Sequence, residues 1–257
     1  EFGYRFWDNW RATLGYKFEV SQVKVSSAAA YDPPLHTSSP SLSLSYDTRD
    51  NIFDPYRGWS HRLVGQVSGG PLPEFDVLGG DTKFYKVIYD ASDFELSPVR
   101  VLPFIKAPSL ALHSRFGRSW GFGGQEVPIT ERFFLGGTDS IRGYGERELS
   151  GSLTATGGGV VMWQFNAEMK WPLVTRVLTL ALPFYDIGNT WDQWNVPTSI
   201  DAINSSAFPL AQSWGFGVRL TIPGTIIVIR LDYGWGLTRM YDPSPSGNLH
   251  FNIGNIF

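Results

Sequence analysis

Residues 160–171 read VVMWQFNAEMKW. Val161, Trp163, Phe165, Ala167, Met169 and Trp171 alternate with Gln164, Asn166, Glu168 and Lys170. Successive side chains of an extended strand point to opposite faces. The stretch therefore predicts a strand with one apolar face and one face of amides and charges. The same split recurs on both sides of it. Trp10, Ala12, Leu14, Tyr16, Phe18 and Val20 oppose Arg11, Thr13, Lys17 and Glu19. Leu42, Leu44 and Tyr46 oppose Ser41, Ser43, Ser45 and Asp47. Trp214, Phe216, Val218, Leu220 and Ile222 oppose Ser213, Gly215, Gly217, Arg219 and Thr221. Further on, Ile227, Ile229, Leu231, Tyr233 and Trp235 oppose Arg230 and Asp232, and Leu249, Phe251, Ile253 and Phe257 oppose Asn248, His250 and Asn252.

Counted this way, the chain carries eleven strand segments, near 1–7, 10–24, 40–48, 58–69, 80–92, 109–119, 158–172, 176–190, 211–222, 225–236 and 248–257, and no convincing helix. Some connections are short, such as Asp8-Asn9 and Pro223-Gly224. Others are long, notably 24–39, 120–157 and 191–210. Short turns at one end and long loops at the other are the signature of a transmembrane antiparallel β-barrel. A soluble sandwich also alternates, but its outer face is the polar one. Here ionisable residues recur on one face of strand after strand, as a wet lumen requires, and Trp, Tyr and Phe crowd the other.

Composition agrees. Aromatics are 15% of the 257 residues and include ten Trp, while mean hydropathy is −0.12. No run approaches the 18 apolar residues of a membrane helix. The net charge of −3 offers no basic footprint for nucleic acid. With no cysteine, disulfide, thiol and thiolate-metal chemistry are excluded, and the four histidines show no metal-ligand spacing. There is no GxSxG elbow, P-loop or HExxH, so no enzyme and no cofactor is expected. An open sheet of eleven strands would leave edges unpaired in hydrocarbon, which is not tolerated. Further strands are therefore expected to precede Glu1, and the chain reads as part of a longer protein.

One segment breaks the pattern. Residues 136–151, GGTDSIRGYGERELSG, are rich in glycine and charge and carry Arg142 near the middle. With its surroundings the stretch resembles the long sixth extracellular loop of the BamA-type outer-membrane assembly family, whose (V/I)RG(F/Y) motif is matched by Ile141, Arg142, Gly143 and Tyr144. LSYDTRDNIFDPYRGW (44–59), LPFYDIGNTWD (182–192) and NLHFNIGNIF (248–257) resemble three further family segments, in the same order. The resemblance covers nearly the whole chain. It implies the last eleven strands of a sixteen-stranded barrel, with five strands and periplasmic POTRA domains coming before.

The resemblance also implies roles. The loop of 120–157 folds into the lumen, and Arg142 meets Glu168 and Asp186 on the inner wall. A planar guanidinium suits bidentate bonding to carboxylates. Gly143 allows a tight turn and Tyr144 packs against the wall. Glu168 has lumenal parity. Asp186 shares its parity with the outward Leu178, Leu180, Leu182 and Phe184, unless Pro183 marks a bulge that flips the phase. Gly254 and Phe257 fall in the closing strand, which in the family pairs loosely with the first strand at a lateral seam. The implied activity is folding and inserting β-barrel precursors in the bilayer. Its partners would be unfolded outer-membrane precursors, the lipid itself and accessory periplasmic lipoproteins, in the bacterial outer membrane. A two-partner secretion pore, which shares the loop motif, and a translocation-assembly paralogue of TamA type are the alternatives. A passive porin needs only girdles and lumenal charges.

Overall fold

The computed structural model describes residues 1–22, 34–70, 78–96, 107–149, 157–174, 177–192, 210–222, 225, 227–238 and 247–253. Eleven strands form one antiparallel sheet in strict chain order: β1 (Phe2–Trp7), β2 (Trp10–Ser21), β3 (Leu35–Asp47), β4 (Gly58–Ser68), β5 (Phe84–Leu96), β6 (Ser109–Gly121), β7 (Val161–Val174), β8 (Leu178–Trp191), β9 (Ala211–Thr221), β10 (Val228–Gly236) and β11 (Asn248–Ile253). Most have 11 to 14 residues, more than the roughly 9–11 a tilted strand needs to cross a bilayer. β3 begins at Leu35, so the end of the expected 24–39 loop is strand. A three-residue 3-10 turn, Ile129–Glu131, is the helical piece among the described residues.

Burial is inverted relative to a water-soluble domain. Gln164, Lys170, Asp186, Arg219 and Asp232 are each 0% exposed, whereas Leu14, Tyr16, Phe18, Leu42, Leu249 and Phe251 are each at least 58% exposed. Charged groups are almost never fully buried unless paired, and a large exposed apolar surface marks contact with something apolar. A sheet that covers its charges and bares its leucines has lipid outside and a polar lumen inside. The apolar core lies inside the lumen. Phe133, Leu135, Ile141, Tyr144 and Leu149, all from the segment between β6 and β7, pack on Met162 and Ala211 of the wall.

The sheet carries one displacement that matters for the site. Against β9, Ala181 pairs with Gly217 and Phe184 with Gly215, and against β7, Ala181 pairs with Lys170 and Phe184 with Glu168. β8 thus has one more residue than its neighbours in that interval, a β-bulge at Leu182-Pro183. Thr179 and Ala181 face inward before it, and Phe184 and Asp186 face inward after it. Outward-facing Phe184, expected from parity alone, is corrected: proline has no N–H for the ladder, the strand bulges there, and the phase reverses.

Candidate functional site

The loop between β6 and β7 has internal structure. Leu135 and Leu149 exchange backbone hydrogen bonds at 3.1 and 3.0 Å, and the Gly137 N–H donates to the Tyr144 carbonyl at 3.1 Å. These bonds make a small hairpin whose tip presents residues 138–144 to the wall. Gly143 has φ +89°, and a Cβ there would sit 3.0 Å from the Gly236 nitrogen. The wall answers with glycines. A Cβ on Gly234 would meet the Gly143 backbone at 2.9 Å, and one on Gly236 would meet the Tyr144 ring at 2.9 Å. Close approach of two backbones needs positions without side chains on both sides.

Arg142 is 1% exposed. Its Nε and Nη2 donate to the two oxygens of Asp186, each at 2.8 Å, and its own backbone N–H reaches the same carboxylate at 3.0 Å. Nη1 donates to Glu168 at 2.7 Å and lies 3.7 Å from Asp232. The face of the guanidinium stacks on Phe184, 3.6 Å from the ring centroid, so the residue that the bulge turns inward forms the floor of the site. Burial works against the charge, but Asp186, Glu168 and Asp232 outweigh it and hold the guanidinium protonated above its ordinary range.

The wall extends the network. Arg219 bridges Glu168 at 2.6 Å and Asp232 at 2.5 Å, and Arg230 contacts Asp232 at 3.3 Å. Three guanidinium groups meet three carboxylates, so the buried cluster is balanced. The rest of the tip is held by side chains of β7 and β11 and by backbone groups of Gln212 and Thr238. Asn166 of β7 donates to the Ser140 carbonyl at 2.6 Å. The Tyr144 hydroxyl donates to the Gln212 carbonyl at 2.9 Å and accepts from the Thr238 N–H at 3.2 Å. On β11, His250 Nε2 accepts the Gly143 N–H at 2.8 Å, Asn248 donates to the Gly143 carbonyl at 2.7 Å, and Asn252 donates to Asp139 at 2.8 Å.

The structure thus brings Ile141, Arg142, Gly143, Tyr144, Glu168 and Asp186 together in one buried site. Gly254 and Phe257 lie outside the described residues. Sequence reasoning missed the roles of Asp232, Arg219, His250, Asn248 and Asn252. Their lumenal parity was the available signal, and it does not say which of several inward residues a loop will touch. Among the described residues, no group of three or more His, Asp or Glu is placed to hold a metal ion.

The match to known proteins covers the whole chain: the Omp85 superfamily domain aligns with residues 1–257. The chain belongs to the Omp85 superfamily. Within it, similarity runs to the outer membrane protein assembly factor BamA of Nitratidesulfovibrio vulgaris, 29% identical over 226 residues, 84% of this chain and 25% of that protein. BamA of Neorickettsia risticii is 27% identical over 194 residues, 72% of this chain and 24% of that protein. The chain spans about a quarter of the length of these relatives. The crystal structure of BamA from Haemophilus ducreyi lacking POTRA domains 1-3 superimposes with a TM-score of 0.71 over 98% of this chain and 52% of that one. At 16% identity that likeness speaks for the fold. This Omp85 segment is all-β and has the fold of part of a BamA barrel.

Proposed function

We propose that the protein containing this Omp85 segment folds and inserts β-barrel precursors in the outer membrane, and that the IRGY loop braces the half of the barrel that ends in β11. The observation that carries the reading is the reach of one loop tip. Residues 138–144 bond to side chains of β7, β8 and β11 and to the backbone of β9, while Gly143 lies against β10. A passive pore needs no such clamp on its last strands. A machine whose seam opens beside β11 needs the neighbouring wall held rigid. The second edge of β11 is unpaired among the described strands. An unpaired edge offers main-chain hydrogen bonds to an incoming strand. The chemistry is non-covalent: unfolded precursors are the substrate, lipid is the medium, and periplasmic lipoproteins are the accessory partners.

The test uses the full-length parent in liposomes and follows the folding of a small unfolded barrel substrate, with and without Arg142→Ala. Accelerated folding that the variant loses supports the reading. Passage of substrate into the vesicle lumen without folding in the membrane points instead to a secretion pore.

A further inference from the structure

The long loop is not the single segment that enters the lumen. The connection between β3 and β4, residues 48–57, lies at the opposite end of the sheet, among the short turns. Instead of turning back in solvent, it reaches across the inner face to β6, β7 and β8, two to four strands away. Asp54 is 5% exposed, and its carboxylate accepts a hydrogen bond from Lys170 of β7 at 2.6 Å. The same ammonium donates to the Pro55 carbonyl at 2.7 Å and sits 4.4 Å from the Tyr56 ring centroid. Tyr56 shares a hydrogen bond with Thr179 of β8 at 2.5 Å, and its carbonyl accepts from Ser109 of β6 at 2.8 Å. Burial, with Asp54 beside it, holds the Tyr56 phenol well above its ordinary value, so it keeps its proton for that bond. β4 and β8 stand four strands apart, roughly 19 Å along the wall at about 4.8 Å per strand. The turn therefore lies across the inner face of β6, β7 and β8.

The turn is also built to keep its own shape. Asn51 Oδ1 accepts the N–H groups of Phe53 and Asp54 at 2.9 and 3.4 Å. Asp50 Oδ1 accepts those of Tyr56 and Arg57 at 2.9 and 3.2 Å. Arg49 grips Asp47 through Nε at 3.0 Å and Nη2 at 2.7 Å. Asx-type bonds of this kind fix a turn locally, whereas the grip on the wall is concentrated in Lys170, Thr179 and Ser109. Lys170 is 0% exposed, and its contacting carboxylate comes from the turn itself. Such an ammonium is tolerated while paired and strongly unfavourable without its partner.

We propose that residues 48–57 form a strap that covers the inner face of β6–β8 and narrows the lumen at its short-turn end, held by the Asp54–Lys170 pair and able to leave the wall as a unit. The strap shares β7 and β8 with the Arg142 site but none of its hydrogen bonds, so the Asp54–Lys170 pair can be removed without removing a bond of Arg142. The strap does not rest on the insertase reading and applies to any traffic through the lumen.

The experiment measures ion current through the full-length parent in planar bilayers, with folding verified by heat-modifiable gel mobility. Asp54→Asn is expected to raise conductance several-fold while the barrel stays folded. Parental conductance in folded Asp54→Asn and in folded Lys170→Met would overturn the proposal. A second readout covers the case in which these variants fail to fold. In a parent otherwise free of cysteine, Ala111→Cys places a thiol at the inward position of β6 next to Ser109, buried and outside the strap's own bonds. Protection from a membrane-impermeant maleimide, lost on adding Asp54→Asn where that variant folds, supports the strap. Rapid labelling with Asp54 intact overturns it. Precursor folding in the same preparations reports separately on the insertase reading.

Discussion

At the scale of single residues, Arg142 is held by geometry as much as by charge. Its fork matches Asp186 oxygen for oxygen, its third arm reaches Glu168, and its face lies on Phe184. Removing one member of a buried ion pair strands the others, at a cost of about 3–5 kcal/mol. Arg142→Ala should therefore lower the heat-modification midpoint of the folded barrel distinctly. Arg142→Lys should recover less than half of the loss, because a point charge cannot bond Asp186 bidentately. His250 is the corresponding contact on β11. His250→Gln retains an acceptor for the Gly143 N–H and should leave the loop as protease-resistant as before. His250→Leu leaves that N–H unpaired, at about 1–3 kcal/mol, and should speed cleavage between residues 136 and 151. The Arg142 partners were anticipated because the resemblance named them and Glu168 had lumenal parity. His250 was not, since parity places a side chain in the lumen without saying what arrives to meet it.

At the scale of elements, β8 shows what periodicity can and cannot establish. Its apolar run Leu178, Leu180, Leu182 and Phe184 extends outward on a two-residue period and carries Asp186 into lipid with it. The bulge at Leu182-Pro183 reverses the phase halfway. A proline in a strand signals that a bulge is admissible. Whether one forms depends on the register of β7 and β9, which a strand read alone does not contain. Deleting Pro183 removes the extra residue. The shortened strand then alternates regularly from Ala181 through Leu182 to Phe184, keeps Phe184 and Asp186 inward, and should still reach the heat-modifiable folded form. Inserting one alanine after Pro183, by contrast, should turn Phe184 and Asp186 to the outer face and stop the chain reaching that form. The glycines of β9 and β10 were legible as residues but not as a surface. A Cβ on Gly215 would press on the Phe184 ring at 2.5 Å, and one on Gly234 on the loop backbone. Gly234→Ala should loosen the loop without disturbing strand pairing, seen as faster proteolysis of the loop at an unchanged far-UV spectrum.

At the scale of the whole molecule, strand number, order and the polarity of the two faces followed from alternation. That pattern is long, repeated and imposed by lipid on one side and water on the other. The strap of residues 48–57 lay beyond reach, because its contacts join residues more than fifty positions apart with no periodic trace. The balanced cluster around Arg142 has a consequence for the order of assembly. Taken without the loop, Asp186 loses both arms of its guanidinium partner, and the wall groups nearest to it are Glu168 and Asp232 with Arg219 and Arg230. Curling of the sheet and docking of the loop are then expected to be coupled, with Arg142 supplying the counterion of Asp186. Refolding into micelles should be slowed by Arg142→Ala and restored in part when Asp186→Asn is added, since neutralising one wall acid substitutes for the cation that never came.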